Sequence, residues 1–338
     1  MFDMHYDLLT QLYMCYKKND FTKVENWVKN YNQNNVKGLI ANLCFESIPE
    51  MKEEYDENYY QPDVSVVEMF EIAVNLLKKY ITDDIFILTS IEGCDFLDNV
   101  DDLEKLKELG LNAIVPVWNN KSKFGSGIRS EEGLTKLGEE LIKKAIELNI
   151  AIDLSHANEK TFYDIIDIIK ESKQNGINPI VYASHSNVRT LCDKLRNLKD
   201  DQIKALSSVD GVIGIFTNSG FIESGSTDKI VELLGTKEHD IYMEYLRDKY
   251  IEHILYALKL VGSVDKIAIG TDDMKFSGGD ICYQHSDVFN YESIDHDLRE
   301  KLKKYFSEED IEKMVFKNGF NIYNSLTLEN EFVSKRRC

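Results

Sequence analysis

Residues 133–156 read GLTKLGEELIKKAIELNIAIDLSH, and the order of events in that stretch decides the fold. Leu137, Leu141, Ile142 and Ala145 recur at helical spacing, so the sequence predicts a helix over 131–148, entered through Ser130–Gly133. NIAIDLS (149–155) follows at once, a short β-branched apolar run of the kind that forms a strand buried on both faces. A helix returning straight into a buried strand is half of a βα unit. The strand runs out into Asp153-Leu154-Ser155-His156, placing polar groups where the chain leaves the sheet.

Outward from this block the alternation repeats. Strands are expected near 2–6, 37–45 (KGLIANLCF), 85–92 (IFILTSIE), 111–117 (LNAIVPV), 149–155, 179–185 (PIVYASH), 211–216 (GVIGIF) and 266–271 (KIAIGT). Helices are expected at about 8–31, 64–80, 101–109, 131–148, 159–172, 200–208 and 241–261, with Thr82 as a further cap, a polar, Tyr-rich loop over 46–62, and two closing helices at 298–305 and 308 to about 324. Eight strands alternating with helices predict an α/β fold, a (β/α)8 barrel of the TIM type. With no linker, repeat or low-complexity tract, residues 1–338 read as a single domain with extra C-terminal helices, and 325–338 as a tail.

Composition bounds the partners. A formal charge of −19, with 43% apolar and 29% charged residues, fits a globular protein and repels phosphate backbones, so nucleic acid is not an expected partner. No apolar run approaches the roughly 20 residues that span a bilayer, so no membrane partner is expected either. Cysteines 15, 44, 94, 192, 282 and 338 are scattered and read as buried or idle thiols. Residues 1–7 already read as a strand with functional side chains, and the expected location is cytoplasmic.

In this barrel the reactive groups come from the C-terminal ends of the strands. Strand one ends in His5-Tyr6-Asp7, whose period of two puts both side chains on one side. Strand three ends at Glu92-Gly93, and Glu92 is placed to bridge two ions. Strands five and six end in His156 and His185, and strand eight in Asp272, a candidate general base. Taken singly, each is ordinary: a lone histidine is more often a hydrogen-bonded core residue, and a lone carboxylate a helix cap. The coincidence is not ordinary. Three of the seven histidines fall at strand ends, while His239, His253, His285 and His296 fall in predicted helices or loops. Imidazoles mixed with carboxylates suit two ions of zinc or a comparable first-row metal better than magnesium or calcium. Such a centre activates water for amide or ester hydrolysis without a covalent intermediate.

The chain resembles the membrane dipeptidase family, which comprises renal dipeptidase and its bacterial relatives. The resemblance runs through the opening DMHYDLL, the IEG around Glu92, the block 133–156, the ASHSN around His185, the LRN around Arg196 and the IGTDD around Asp272. It implies that His5, Asp7 and Glu92 hold one zinc and that Glu92, His156 and His185 hold the second, with Glu92 as the bridge. It further implies that Arg196 grips a substrate carboxylate, as a planar guanidinium does, and that Asp272 is the acid/base. The implied activity is hydrolysis of dipeptides with a free C-terminal carboxylate, L–D as well as L–L, by a protein that forms homodimers. Two features depart from the family pattern. Trp118 stands where many members carry a substrate-contacting histidine, and Asp272-Asp273-Met274-Lys275 replaces the usual D-F-D-G. These departures keep two alternatives open: another barrel metallohydrolase, lactonase or deaminase-like, and a non-catalytic relative that binds metal or peptide.

Overall fold

The computed structural model describes residues 1–22, 24–25, 35–44, 64–81, 84–273, 288–289 and 293–334, with side chains up to residue 327. Eight parallel strands close in sequence order: β1 (Phe2–Tyr6), β2 (Gly38–Cys44), β3 (Phe86–Glu92), β4 (Ala113–Val115), β5 (Ala151–Asp153), β6 (Val181–Ala183), β7 (Val212–Phe216) and β8 (Ile267–Gly270), with β8 pairing back onto β1. This is the (β/α)8 barrel expected from the alternation. Period-two burial builds its two layers. On β2, Leu39, Ala41 and Leu43 face the surrounding helices, while Ile40 joins Met4, Leu88, Ala113, Ala151 and Tyr182 inside the barrel.

Among the described residues the helices are α1 (Leu8–Lys18), α2 (Val66–Tyr80), α3 (Asp102–Leu109), α4 (Lys136–Glu147), α5 (Glu159–Gln174), α6 (Asp200–Ser208), α7 (Ser219–Ile222), α8 (Ser226–Leu233), α9 (Lys237–Val261), α10 (Ile294–Leu302), α11 (Glu308–Glu312) and α12 (Asn318–Ser334). Several boundaries differ from the expectation. Helix α4 starts at Lys136, capped by the Thr135 hydroxyl accepting from Gly138 N–H, so Ser130–Gly133 belongs to the preceding loop. Helices α7 and α8 differ from the expectation: they are short, separated at Gly225, and too brief to show a period. α1 ends at Lys18, with Asn19 in the left-handed region. α10 begins at Ile294, earlier than expected, and a π-turn at Lys313–Lys317 separates α11 from α12. Helix α12 runs through to Ser334, so most of the expected tail is helical. The loop expected over 46–62, the cap at Thr82, His285, Cys282 and Cys338 lie outside the described residues.

The last helix closes the N-terminal end of the barrel. Phe320 and Tyr323 meet Phe86, the first residue of β3, edge-on at 4.7 and 5.3 Å between ring centroids, and Phe316 stacks on Phe320 at 5.2 Å. Phe2 is wedged between two glycines: a Cβ on Gly38 or on Gly319 would lie 2.4 Å from its ring. Asn318 donates to the carbonyls of Val264 and Ile267, fixing the helix against the start of β8.

Candidate metal centre

The opposite, C-terminal end gathers polar side chains. Strand β1 carries one extra residue relative to β2, since Asp3 pairs with Leu39 and Tyr6 with Ala41. This bulge lets Met4 face the inner apolar cluster while its neighbour His5 also reaches the centre, which strict alternation would forbid. His5 Nε2 lies 3.2 Å from Glu92 Oε2, 3.8 Å from Asp7 Oδ1 and 3.5 Å from Asp272 Oδ1. On the other side of Glu92, His156 Nε2 is 3.0 Å and His185 Nε2 3.6 Å from Oε1, and the two histidine nitrogens are 3.1 Å apart. His156 and Asp272 both have positive φ, 69° and 53°, a strained setting for non-glycine residues that clusters at functional sites.

The structure therefore brings His5, Asp7, Glu92, His156, His185 and Asp272 together. Their donor atoms form overlapping groups, each within 4.8 Å: Glu92 with His156 and His185, and His5 with Asp7, Glu92 and Asp272. Buried imidazole nitrogens and carboxylate oxygens at this spacing fit a first-row divalent ion, whose ligand atoms lie about 2.0–2.2 Å from it.

The electrostatics follow from burial and sign. Burial opposes a charge on His5, but Glu92, Asp7 and Asp272 around it hold its pKa well above the ordinary value. Burial likewise works against the Glu92 carboxylate, and the imidazoles of His5 and His156 outweigh it and keep Glu92 well below the carboxylate range. His156 is pushed down to about 4 by burial and by the charge of Arg196. His185 falls well below its ordinary value through burial, His5 and Arg196. Neutral imidazoles are the form that ligates metal.

Arg196 is buried, with Nη1 donating to Ser186 Oγ at 3.1 Å and Nη2 without a hydrogen-bond partner among the described residues. Burial draws its pKa down to about 10, against the pull of Glu92 and Asp272. Trp118 stacks on the His156 ring at 5.6 Å and 26°, and Arg129 lies 5.9 Å from the Trp118 ring.

Residues that the sequence reading left without a role hold these groups. Asn119, directly after Trp118, bonds His156 Nδ1 at 2.8 Å. Asp3 accepts from the N–H groups of His5 and Thr271 and from the Thr271 hydroxyl, and burial raises its pKa to about 7 against those bonds. Ser184 Oγ lies between His5 Nδ1 and His185 Nδ1, and Asp153 Oδ1 accepts the Ser184 backbone N–H. Asp153 and Ser184 lie in the 133–156 and ASHSN stretches, and closeness to the clustered histidines is the one signal that singles them out. Of the remaining histidines, His239 and His253 lie in α9 and His296 in α10, away from the cluster. His253 is a core residue, its Nδ1 accepting from Val188 N–H and its Nε2 donating to the Ile222 carbonyl. Of the described cysteines, Cys15, Cys94 and Cys192 are buried and Cys44 is partly exposed. No helix among the described residues is long and apolar enough to cross a membrane.

Comparison with known proteins adds three findings. The model of the membrane dipeptidase family (peptidase family M19) matches residues 51–335. An uncharacterized protein of Acinetobacter calcoaceticus is 35% identical over 175 residues, 48% of this chain and 51% of its own length; one of Klebsiella pneumoniae is 27% identical over 249 residues, 71% of this chain and 82% of its own. The chain thus spans about half the length of the first relative and most of the second. A crystal structure of a metallo peptidase from Rhodobacter sphaeroides, liganded with a phosphinate mimic of the dipeptide L-Ala-D-Ala, superposes with a TM-score of 0.69 over 96% of this chain and 98% of the other. At 17% identity that likeness is one of fold.

Proposed function

The chain belongs to the membrane dipeptidase family, and from that premise we propose that it is a zinc-dependent dipeptidase cleaving dipeptides with a free C-terminal carboxylate, L–D as well as L–L. The observation that carries this reading is the position of Glu92, whose two oxygens face two different groups of donors, Oε2 toward His5 and Oε1 toward His156 and His185. A carboxylate so placed is built to bridge. His5, Asp7 and Glu92 would hold one zinc, and Glu92, His156 and His185 the second. Bound there, the ions supply positive charge that polarises a carbonyl and lowers the pKa of water.

The chain's own residues do the rest. Arg196 offers a buried guanidinium whose unpaired Nη2 can take a carboxylate oxygen, so the substrate's C-terminus docks beside the cluster and its peptide bond comes to lie over it. Asp272, 3.5 Å from His5 and only slightly exposed, takes a proton from the attacking water and returns it to the leaving amine. Trp118 walls the side next to His156. Its indole N–H can only donate, so it narrows the pocket without taking over a histidine's part in proton transfer. The dipeptide mimic bound to the Rhodobacter relative supports the same substrate class.

The test is hydrolysis of L-Ala-L-Ala, L-Ala-D-Ala and a wider dipeptide panel by protein of measured metal content, before and after chelation. Cleavage that stops on chelation and returns with about two equivalents of zinc is expected. Metal-loaded protein inert toward every dipeptide would overturn the reading, and activity on a lactone or a nucleobase analogue would then redirect it to another barrel hydrolase.

A further inference from the structure

The Ser184 hydroxyl occupies a position that no ligand assignment explains. Its Oγ lies 3.1 Å from His5 Nδ1 and 2.7 Å from His185 Nδ1, so one oxygen touches the far nitrogen of one histidine from each proposed zinc subsite. The same hydroxyl lies 3.3 Å from Ser155 Oγ, and Asp153 Oδ1 accepts the backbone N–H groups of Ser155 and Ser184. The backbone is shaped to admit it. A Cβ on Gly214 would lie 1.9 Å, and one on Gly270 2.0 Å, from the Ser184 carbonyl oxygen, so both flanking positions on β7 and β8 must lack side chains for residue 184 to sit inside the barrel.

A hydroxyl has one proton and two lone pairs. With the proton given to Ser155 Oγ, both lone pairs are left to accept N–H from the two imidazoles. Each imidazole then carries its proton on Nδ1 and presents a bare Nε2 to the centre, where Nε2 of His5 and His185 already face Glu92. Outer partners of this kind fix the tautomer and orientation of ligating histidines.

We propose that Ser184 is a shared positioning residue that sets the metal-binding tautomer of His5 and His185 together and so links the two subsites. His156 is excluded from this link because Asn119 holds its Nδ1 separately. The inference rests on the two-zinc reading for its consequence, though the hydrogen-bond pattern stands without it.

Two measurements on the intact protein test it: zinc titration by calorimetry, and 15N spectra of histidine-labelled, zinc-loaded protein, which distinguish Nδ1–H from Nε2–H rings. In Ser184→Ala both zinc affinities are expected to fall by on the order of tenfold or more, with the ring signals of His5 and His185 changed and that of His156 retained. Asn119→Ala should weaken only the His156 subsite. Weakening confined to one ion in Ser184→Ala, or His5 and His185 signals unchanged from wild type, would overturn the proposal. Failure of the dipeptidase reading would show separately, in the wild-type stoichiometry and peptide panel.

Discussion

The two ends of one barrel are filled by opposite chemistries. At the N-terminal end Phe2, Phe86, Phe320 and Tyr323 close the lumen with ring against ring. At the C-terminal end an equally buried volume holds three imidazoles and the carboxylates of Asp7 and Glu92, with His156 and Asp272 in left-handed conformations. The first arrangement satisfies itself. The second leaves donor atoms crowded and charges opposed to their burial, an arrangement that makes sense when something else binds there. Division of labour between the two faces is general for this fold: the N-terminal face serves stability and the C-terminal face chemistry.

Substitutions at the two ends should therefore fail in different ways. The largest effect expected is at the rim: Asp272→Asn should lower kcat by about 10²–10⁴-fold while metal content and thermal unfolding stay near wild type. Steady-state kinetics alongside metal analysis checks it, and normal turnover would remove Asp272 as the proton carrier. At the other end, Phe2→Ala removes a fully buried ring between Gly38 and Gly319 and should destabilise by ~3–5 kcal/mol, read by urea unfolding, with kcat per folded molecule unchanged. A large kcat loss there would break the contrast.

A smaller effect sharpens it. His253 supports the loop behind the rim by accepting from Val188, and burial holds its pKa down at about 4, against an ordinary 6.5. The unfolded chain takes up a proton as pH falls below 6.5 while the folded protein does not until about 4. Stability should therefore fall across that window by ~3 kcal/mol from this group. His253→Gln should flatten the slope by that amount in unfolding measured from pH 7 to pH 4, and an unchanged slope would assign the acid sensitivity elsewhere.

Much of this contrast was legible in the chain. Strands declare themselves as β-branched runs such as IAI and VIGIF, and the clustered histidines and carboxylates declare themselves by standing where those runs stop. Less legible was anything fixed by a neighbour remote in sequence. The β1 bulge arises from pairing with β2 and cannot be seen in DMHYD alone. Asn119 and Ser184 are common polar residues whose importance comes from touching His156, His5 and His185 across the barrel. Helices α7 and α8 are too short to carry a period, and α10 and α12 run beyond the stretches in which apolar spacing is clear.

The stacking of Trp118 on His156 carries an optical consequence. Trp118 is one of two tryptophans in the chain, and its indole lies nearly parallel to an imidazole of the cluster, 5.6 Å away. Indole emission is sensitive to the charge on a stacked imidazole, so the intrinsic fluorescence of the protein should shift as that ring gains a proton or an ion. The occupancy of this side of the centre can then be followed in real time without a dye, a label or a substrate.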